Sequence, residues 1–92
     1  MDKQEEKSIL HQALNKYGVQ AQKMMLFEEC GELVNAVAKF DRGRAGIMDI
    51  ITELADVSIM VDQMVFVFGD EELFSKERER KLLRLKERIE KK

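Results

Sequence analysis

The chain has 92 residues, of which 45% are hydrophobic and 37% are charged, and it contains neither proline nor tryptophan. This length predicts one domain over residues 1–92, and the composition suits a soluble, strongly helical chain rather than a disordered one. The net charge of −2 speaks against a nucleic-acid partner, and the single cysteine excludes an internal disulfide.

Apolar residues recur at helical spacing along the chain, and no segment keeps the period of two that marks a strand. The pattern predicts an all-α fold of four helices. Gly18 ends the first helix, the loop DRGRAG at 41–46 separates the second from the third, and Gly69 ends the third. Asp70 is the predicted N-cap of the last. The predicted helices cover residues 3–17, 20–41, 47–68 and 70–92.

The second and third helices are apolar on more than one face, as helices inside a bundle are. One short chain has few helices with which to cover them, so a homodimer or homotetramer built around these two helices is expected. The charged segment 70–92 is then a peripheral helix or one that contacts another protomer. The apolar run at 57–68 is shorter than the roughly 20 residues that cross a bilayer, so no membrane contact is expected. The polar, acidic N-terminus is unlike a secretion signal, which favours the cytoplasm.

Acidic side chains gather on one face of each central helix. The short loop makes the two helices antiparallel, and at about 1.5 Å per residue both acidic patches lie about 14 Å from the turn. Four carboxylates can therefore converge between the helices. The acidic residues are Glu28, Glu29 and Glu32 on the second helix, and Asp49, Glu53 and Asp56 on the third.

A divalent cation would remove the repulsion within such a cluster. Oxygen ligands without histidine or cysteine favour a hard ion, Mg²⁺ or Mn²⁺, which also binds substrate phosphates. The only histidine, His11, belongs to no Glu-x-x-His pair, which argues against a di-iron site. Lys39 lies on the acidic stripe, about 10 Å beyond Glu32, and Arg42 and Arg44 follow in the loop. A metal and these cations at opposite ends could hold a polyphosphate chain.

The pattern E28-E29-x-x-E32 followed by E53-x-x-D56 resembles the EExxE…ExxD signature of the MazG-like, all-α nucleoside triphosphate pyrophosphohydrolases. The resemblance extends from Tyr17 to Met64. It implies a four-helix MazG-like bundle and Mg²⁺-dependent cleavage of a nucleotide between the α and β phosphates, giving a monophosphate and pyrophosphate.

The resemblance also implies roles for individual residues. Glu29, Glu32, Glu53 and Asp56 would be metal ligands. Glu28 would be a further ligand or the group that orients or deprotonates the attacking water, which makes Glu28 and Glu29 the candidate catalytic residues. Met60 and Met64 could line an adaptable pocket for the base.

Simpler interpretations exist for each of these features. The carboxylates could be a solvated acidic face, and Lys39 could simply compensate the negative end of its helix. Arg42 and Arg44 could be solvated loop residues, and the methionines could be core filler. Two other functions also fit the sequence: a phosphoribosyl-ATP pyrophosphohydrolase, and a non-catalytic helical assembly or phosphate-sensing module.

Overall fold

The computed structural model describes residues 1–91 and contains four helices, with no strand in that range. The all-α fold predicted from the sequence is confirmed. None of the helices within residues 1–91 is both long enough and apolar enough to cross a membrane. The helices are α1 (Lys3–Tyr17), α2 (Val19–Asp41), α3 (Ile47–Phe68) and α4 (Glu71–Glu90).

Two side-chain caps and one glycine set four of the helix boundaries. Asp2 begins α1 by accepting a hydrogen bond from the Glu5 amide at 2.8 Å. Asp70 does the same for α4, where it accepts from the Leu73 amide at 2.7 Å, so the predicted N-cap is confirmed. Gly18 is the only residue between α1 and α2, and its φ of 88° and ψ of 156° are essentially restricted to glycine. This one residue therefore lets the chain change direction sharply.

The turn after α2 is a Schellman motif. Gly43 has a φ of 72°, the left-handed conformation that glycine adopts without steric strain. Its amide donates to the Phe40 carbonyl at 2.9 Å, and the Arg44 amide donates to the Lys39 carbonyl at 2.8 Å. The two residues that usually make an apolar contact across this motif are here Lys39 and Arg44. The α2–α3 turn thus brings two cationic residues to the same side of the hairpin.

The α2–α3 hairpin is the body of the fold, and its inner seam buries polar as well as apolar side chains. The buried residues within 1–91 are Gln22 and Ala36 on α2, and Met60 and Gln63 on α3. On each helix these residues fall on one face at a spacing of 100° per residue. Gln63 donates a hydrogen bond to the Leu10 carbonyl at 3.3 Å, which joins α1 to the seam.

The opposite surface of the hairpin is apolar and exposed. We call it the outer face, and it comprises Phe27 and Val34 on α2 and Ile51 and Leu54 on α3. Phe27 is 62% exposed and Val34 is 68% exposed, which is unusual for large apolar side chains in the middle of a helix. The hairpin therefore buries polar side chains in its seam while it leaves large apolar side chains exposed on its outer face.

Candidate metal centre

Three carboxylates meet across the seam of the hairpin. Glu29 projects from α2, and Glu53 and Asp56 project from consecutive turns of α3. One carboxylate oxygen from each lies within 4.8 Å of the other two. We call this cluster the carboxylate trio. The antiparallel hairpin brings these positions level because they lie at similar distances from the turn.

Two oxygens of the trio are buried without a hydrogen-bond partner, namely Oε2 of Glu29 and Oε2 of Glu53. A buried carboxylate oxygen without a partner is costly, because the group has lost water and gained nothing in exchange. Loss of solvent, followed by the negative charges of Glu32, Asp56 and Glu53, raises the pKa of Glu29 to about 7. Desolvation and then the charge of Glu32 also raise the pKa of Glu53.

The chain does not neutralise this cluster with its own cations. Within residues 1–91 the ion pairs are Lys7–Glu71, Lys76–Glu72, Arg80–Glu77 and Lys86–Glu90. All four lie outside the seam, and three of them are internal to α4. The orphaned oxygens and the hard donor set of the trio fit Mg²⁺ or Mn²⁺, which prefer carboxylate ligands and keep several waters.

A groove of about 300 Å³ runs from the trio toward the α2–α3 turn. Glu32 and Glu53 stand on its acidic side, and Lys39 and Arg44 are the cations that line it. We call it the carboxylate groove. Negative groups therefore line the groove near the seam, and two cations line it near the turn together with the carboxylate of Asp49. Its lining residues are Glu32, Asn35, Ala36, Lys39, Arg44, Ala45, Asp49 and Glu53.

Other predicted site residues lie away from this groove. Glu28 and Arg42 are exposed, and neither lines the groove. Met60 is only 8% exposed and packs in the seam one turn beyond Asp56. Met64 is half-buried and lines a separate apolar groove of about 340 Å³ that α3 forms with α2 and α4. A base pocket formed by the two methionines stays a prediction.

Two residues of the groove have features that sequence reasoning missed. Asn35 lies three residues after Glu32 and four before Lys39, so it shares their face of α2. That spacing was the signal by which it could have been found. Asp49 was expected among the acids of α3, but its Oδ2 accepts a hydrogen bond from the Gly46 amide at 2.8 Å. Asp49 therefore caps the start of α3 at the edge of the groove.

Comparison of the chain with models of known protein families, with curated proteins and with solved structures finds no match. The geometry of the seam and the groove is thus the basis for assigning a function.

Proposed function

We propose that the chain is a Mg²⁺-dependent nucleoside triphosphate pyrophosphohydrolase that acts in the cytoplasm to control or clean the nucleotide pool. The observation that carries the proposal is the pair of orphaned, buried oxygens of Glu29 and Glu53, in a seam that opens onto a groove containing Lys39 and Arg44. A triphosphate bound with its metal supplies both the positive charge that the carboxylates lack and the negative charge that the cations can bind.

Glu29, Glu53 and Asp56 would hold the ion, and Glu32, whose charge raises the pKa of Glu53, would be a further ligand. A bound Mg²⁺ neutralises phosphate charge and polarises a water. Lys39 and Arg44 would bind the β and γ phosphates and stabilise charge on the departing pyrophosphate, with Arg42 in the same turn as a further contact.

The reaction is displacement at the α phosphorus. The oxygen of water forms a bond to that phosphorus, the bond to the α–β bridging oxygen breaks, and pyrophosphate leaves with the electron pair. The proton of the water passes to a carboxylate. Glu28, next to Glu29 in the chain and exposed, is the candidate to orient or deprotonate the water, because Glu29 would itself ligate the ion.

We further propose that the active form is a homo-oligomer in which the outer face is covered. Four large apolar residues on that face are exposed in the single chain, and association would cover them.

The test measures pyrophosphate release from a panel of canonical and modified NTPs and dNTPs, and from phosphoribosyl-ATP, with Mg²⁺ and then with EDTA. Release from at least one nucleoside triphosphate with Mg²⁺, abolished by EDTA and by Glu53→Gln, is the expected result. Glu79→Gln, at an exposed position on α4, is the matched control and should retain full activity.

Turnover of phosphoribosyl-ATP alone would contradict the nucleoside triphosphate assignment. Absence of turnover for every compound, together with normal thermal stabilisation by Mg²⁺, would favour the non-catalytic module.

A further inference from the structure

Helix α4 stands away from the rest of the fold. Every residue of Glu71–Glu90 is exposed, and within residues 1–91 it packs only against α3 and ties to α1 through Lys7 and Glu71, whose charged atoms lie 3.1 Å apart. Both attachments involve the first turns of the helix, where Leu73 and Phe74 line the apolar groove beside α3. The C-terminal half of α4 is therefore a projecting arm.

The arm is amphipathic and basic. Leu82, Leu85 and Ile89 fall within about 60° of one another around the helix, and we call them the arm strip. They are 51%, 44% and 73% exposed. Residues 80–90 contain five basic and two acidic residues, a net charge of +3. An exposed apolar strip of this kind is suited to packing on a second apolar surface, with its basic side chains at the edges of the contact.

The outer face of the hairpin is a second uncovered apolar surface. It presents four large exposed apolar side chains, whereas the acidic residues Glu29, Glu32, Asp49, Glu53 and Asp56 lie on the other side of the hairpin, in the seam and the carboxylate groove. The same chain thus contains an apolar strip and an apolar face, and neither is covered within residues 1–91. Packing of the strip of one copy on the face of another removes both apolar surfaces from water.

The exposed area of the chain indicates how much surface a partner must cover. A compact monomer of 10.7 kDa exposes about 5,500 Å², whereas this chain exposes 7482 Å². The excess is about 2,000 Å² per chain, or about 4,000 Å² for two copies, within the range of about 2,000–5,000 Å² for obligate homodimers. The radius of gyration of 16.0 Å also exceeds the value of about 12 Å for a compact domain of 92 residues.

We propose that α4 is an intermolecular arm: the arm strip of one copy packs on the outer face of a second copy, and the second copy returns the same contact. The proposal rests on the self-association proposed above and is independent of nucleotide hydrolysis. A two-fold dimer satisfies both contacts at once, because each protomer provides one arm and one outer face.

The decisive experiment is an isotope-filtered NOE measurement on the full-length protein, mixed from labelled and unlabelled copies. We expect intermolecular NOEs from the methyl groups of Leu85 and Ile89 to side chains of the outer face, such as Val34 and Ile51. Intermolecular NOEs from the arm strip only to the α4 of the other copy would overturn the proposal, because they would show helix-to-helix pairing of the arms. Absence of any intermolecular NOE from the strip would overturn it as well.

A variant pair tests the energetics separately. Leu85→Gln removes a residue of the strip, whereas Leu83→Gln changes a residue about 100° from Leu82, outside the strip. Both leucines are similarly exposed, at 44% and 54%, so neither change should prevent α4 from folding. By sedimentation velocity, we expect L85Q to raise the dimer Kd at least tenfold and L83Q to change it by less than twofold.

Equal effects of the two variants on the dimer Kd would contradict the claim that the arm strip, and not another face of α4, contacts the second copy. A wild-type protein that stays monomeric at millimolar concentration, or whose arm instead binds anionic vesicles or an oligonucleotide, would contradict the proposal outright. A wild-type protein that dimerises through the arm but hydrolyses no nucleotide would refute only the proposed function and would leave the proposal for α4 standing.

Discussion

Mg²⁺ binding by the carboxylate trio should weaken strongly as the pH falls from 8 to 6. A metal ligand must be deprotonated, and in the metal-free protein the pKa of Glu29 is about 7. This carboxylate is then deprotonated in about a tenth of the molecules at pH 6 and about nine tenths at pH 8. Competition from the proton on Glu29 alone should therefore raise the apparent Kd for Mg²⁺ about tenfold at pH 6 relative to pH 8. The raised pKa of Glu53 steepens the dependence further.

The measurement is a calorimetric titration of the metal-free protein with MgCl₂ at constant ionic strength, at pH 6, 7 and 8. Glu29→Gln should bind Mg²⁺ more weakly at pH 8 and lose most of the pH dependence, whereas Glu79→Gln should reproduce the wild-type curve. An apparent Kd that stays within twofold across this range in the wild type would refute the reasoning, since it would mean that no proton leaves the seam when the ion binds.

Three further outcomes follow from the structure. Because the folded-state pKa of Glu29 lies above its unfolded value of 4.5, the metal-free protein should lose stability as the pH rises from about 4.5 through 7, so its Tm should be higher at pH 5 than at pH 8. Gly43→Ala should lower Tm by about 4–8 °C, through roughly 1 kcal/mol of left-handed backbone strain, and Gly43→Asn should lower it less. Lys39→Ala should raise the KM for the nucleotide by roughly tenfold or more, by loss of a charge-assisted contact, whereas Lys16→Ala on α1 should leave the KM unchanged. A Tm that does not change with pH would contradict the first of these predictions, and equal Tm values for the two Gly43 variants would contradict the second. Equal KM values for the two lysine variants would contradict the third.

The helix boundaries, and the position of the two acidic patches at the same distance from the turn, could be predicted from the sequence because they depend on local rules. Gly18 and Gly69 and the cap at Asp70 mark their helix boundaries to within a residue of those in the structure. A rise of about 1.5 Å per residue and a short loop suffice to bring the acidic patch of α2 level with that of α3.

The finer geometry of the site could not be predicted in this way. Side-chain packing, and not helical spacing, decides that Glu29, Glu53 and Asp56 approach within 4.8 Å while Glu28 stays exposed. Periodicity also assigns apolar faces to the interior, yet this chain buries Gln63 and exposes Phe27. The reason is that a single chain of four helices has nothing with which to cover the outer face.

The Schellman turn after α2 carries a further consequence for the rigidity of the protein. Its two apolar positions are taken by Lys39 and Arg44, so like charges repel where other such turns gain a hydrophobic contact. An anion held between these side chains would remove the repulsion and tighten the turn. Backbone amide exchange at Gly43 and Arg44 would then slow when polyphosphate is present, and the stiffness of this corner of the hairpin would report whether a ligand is bound.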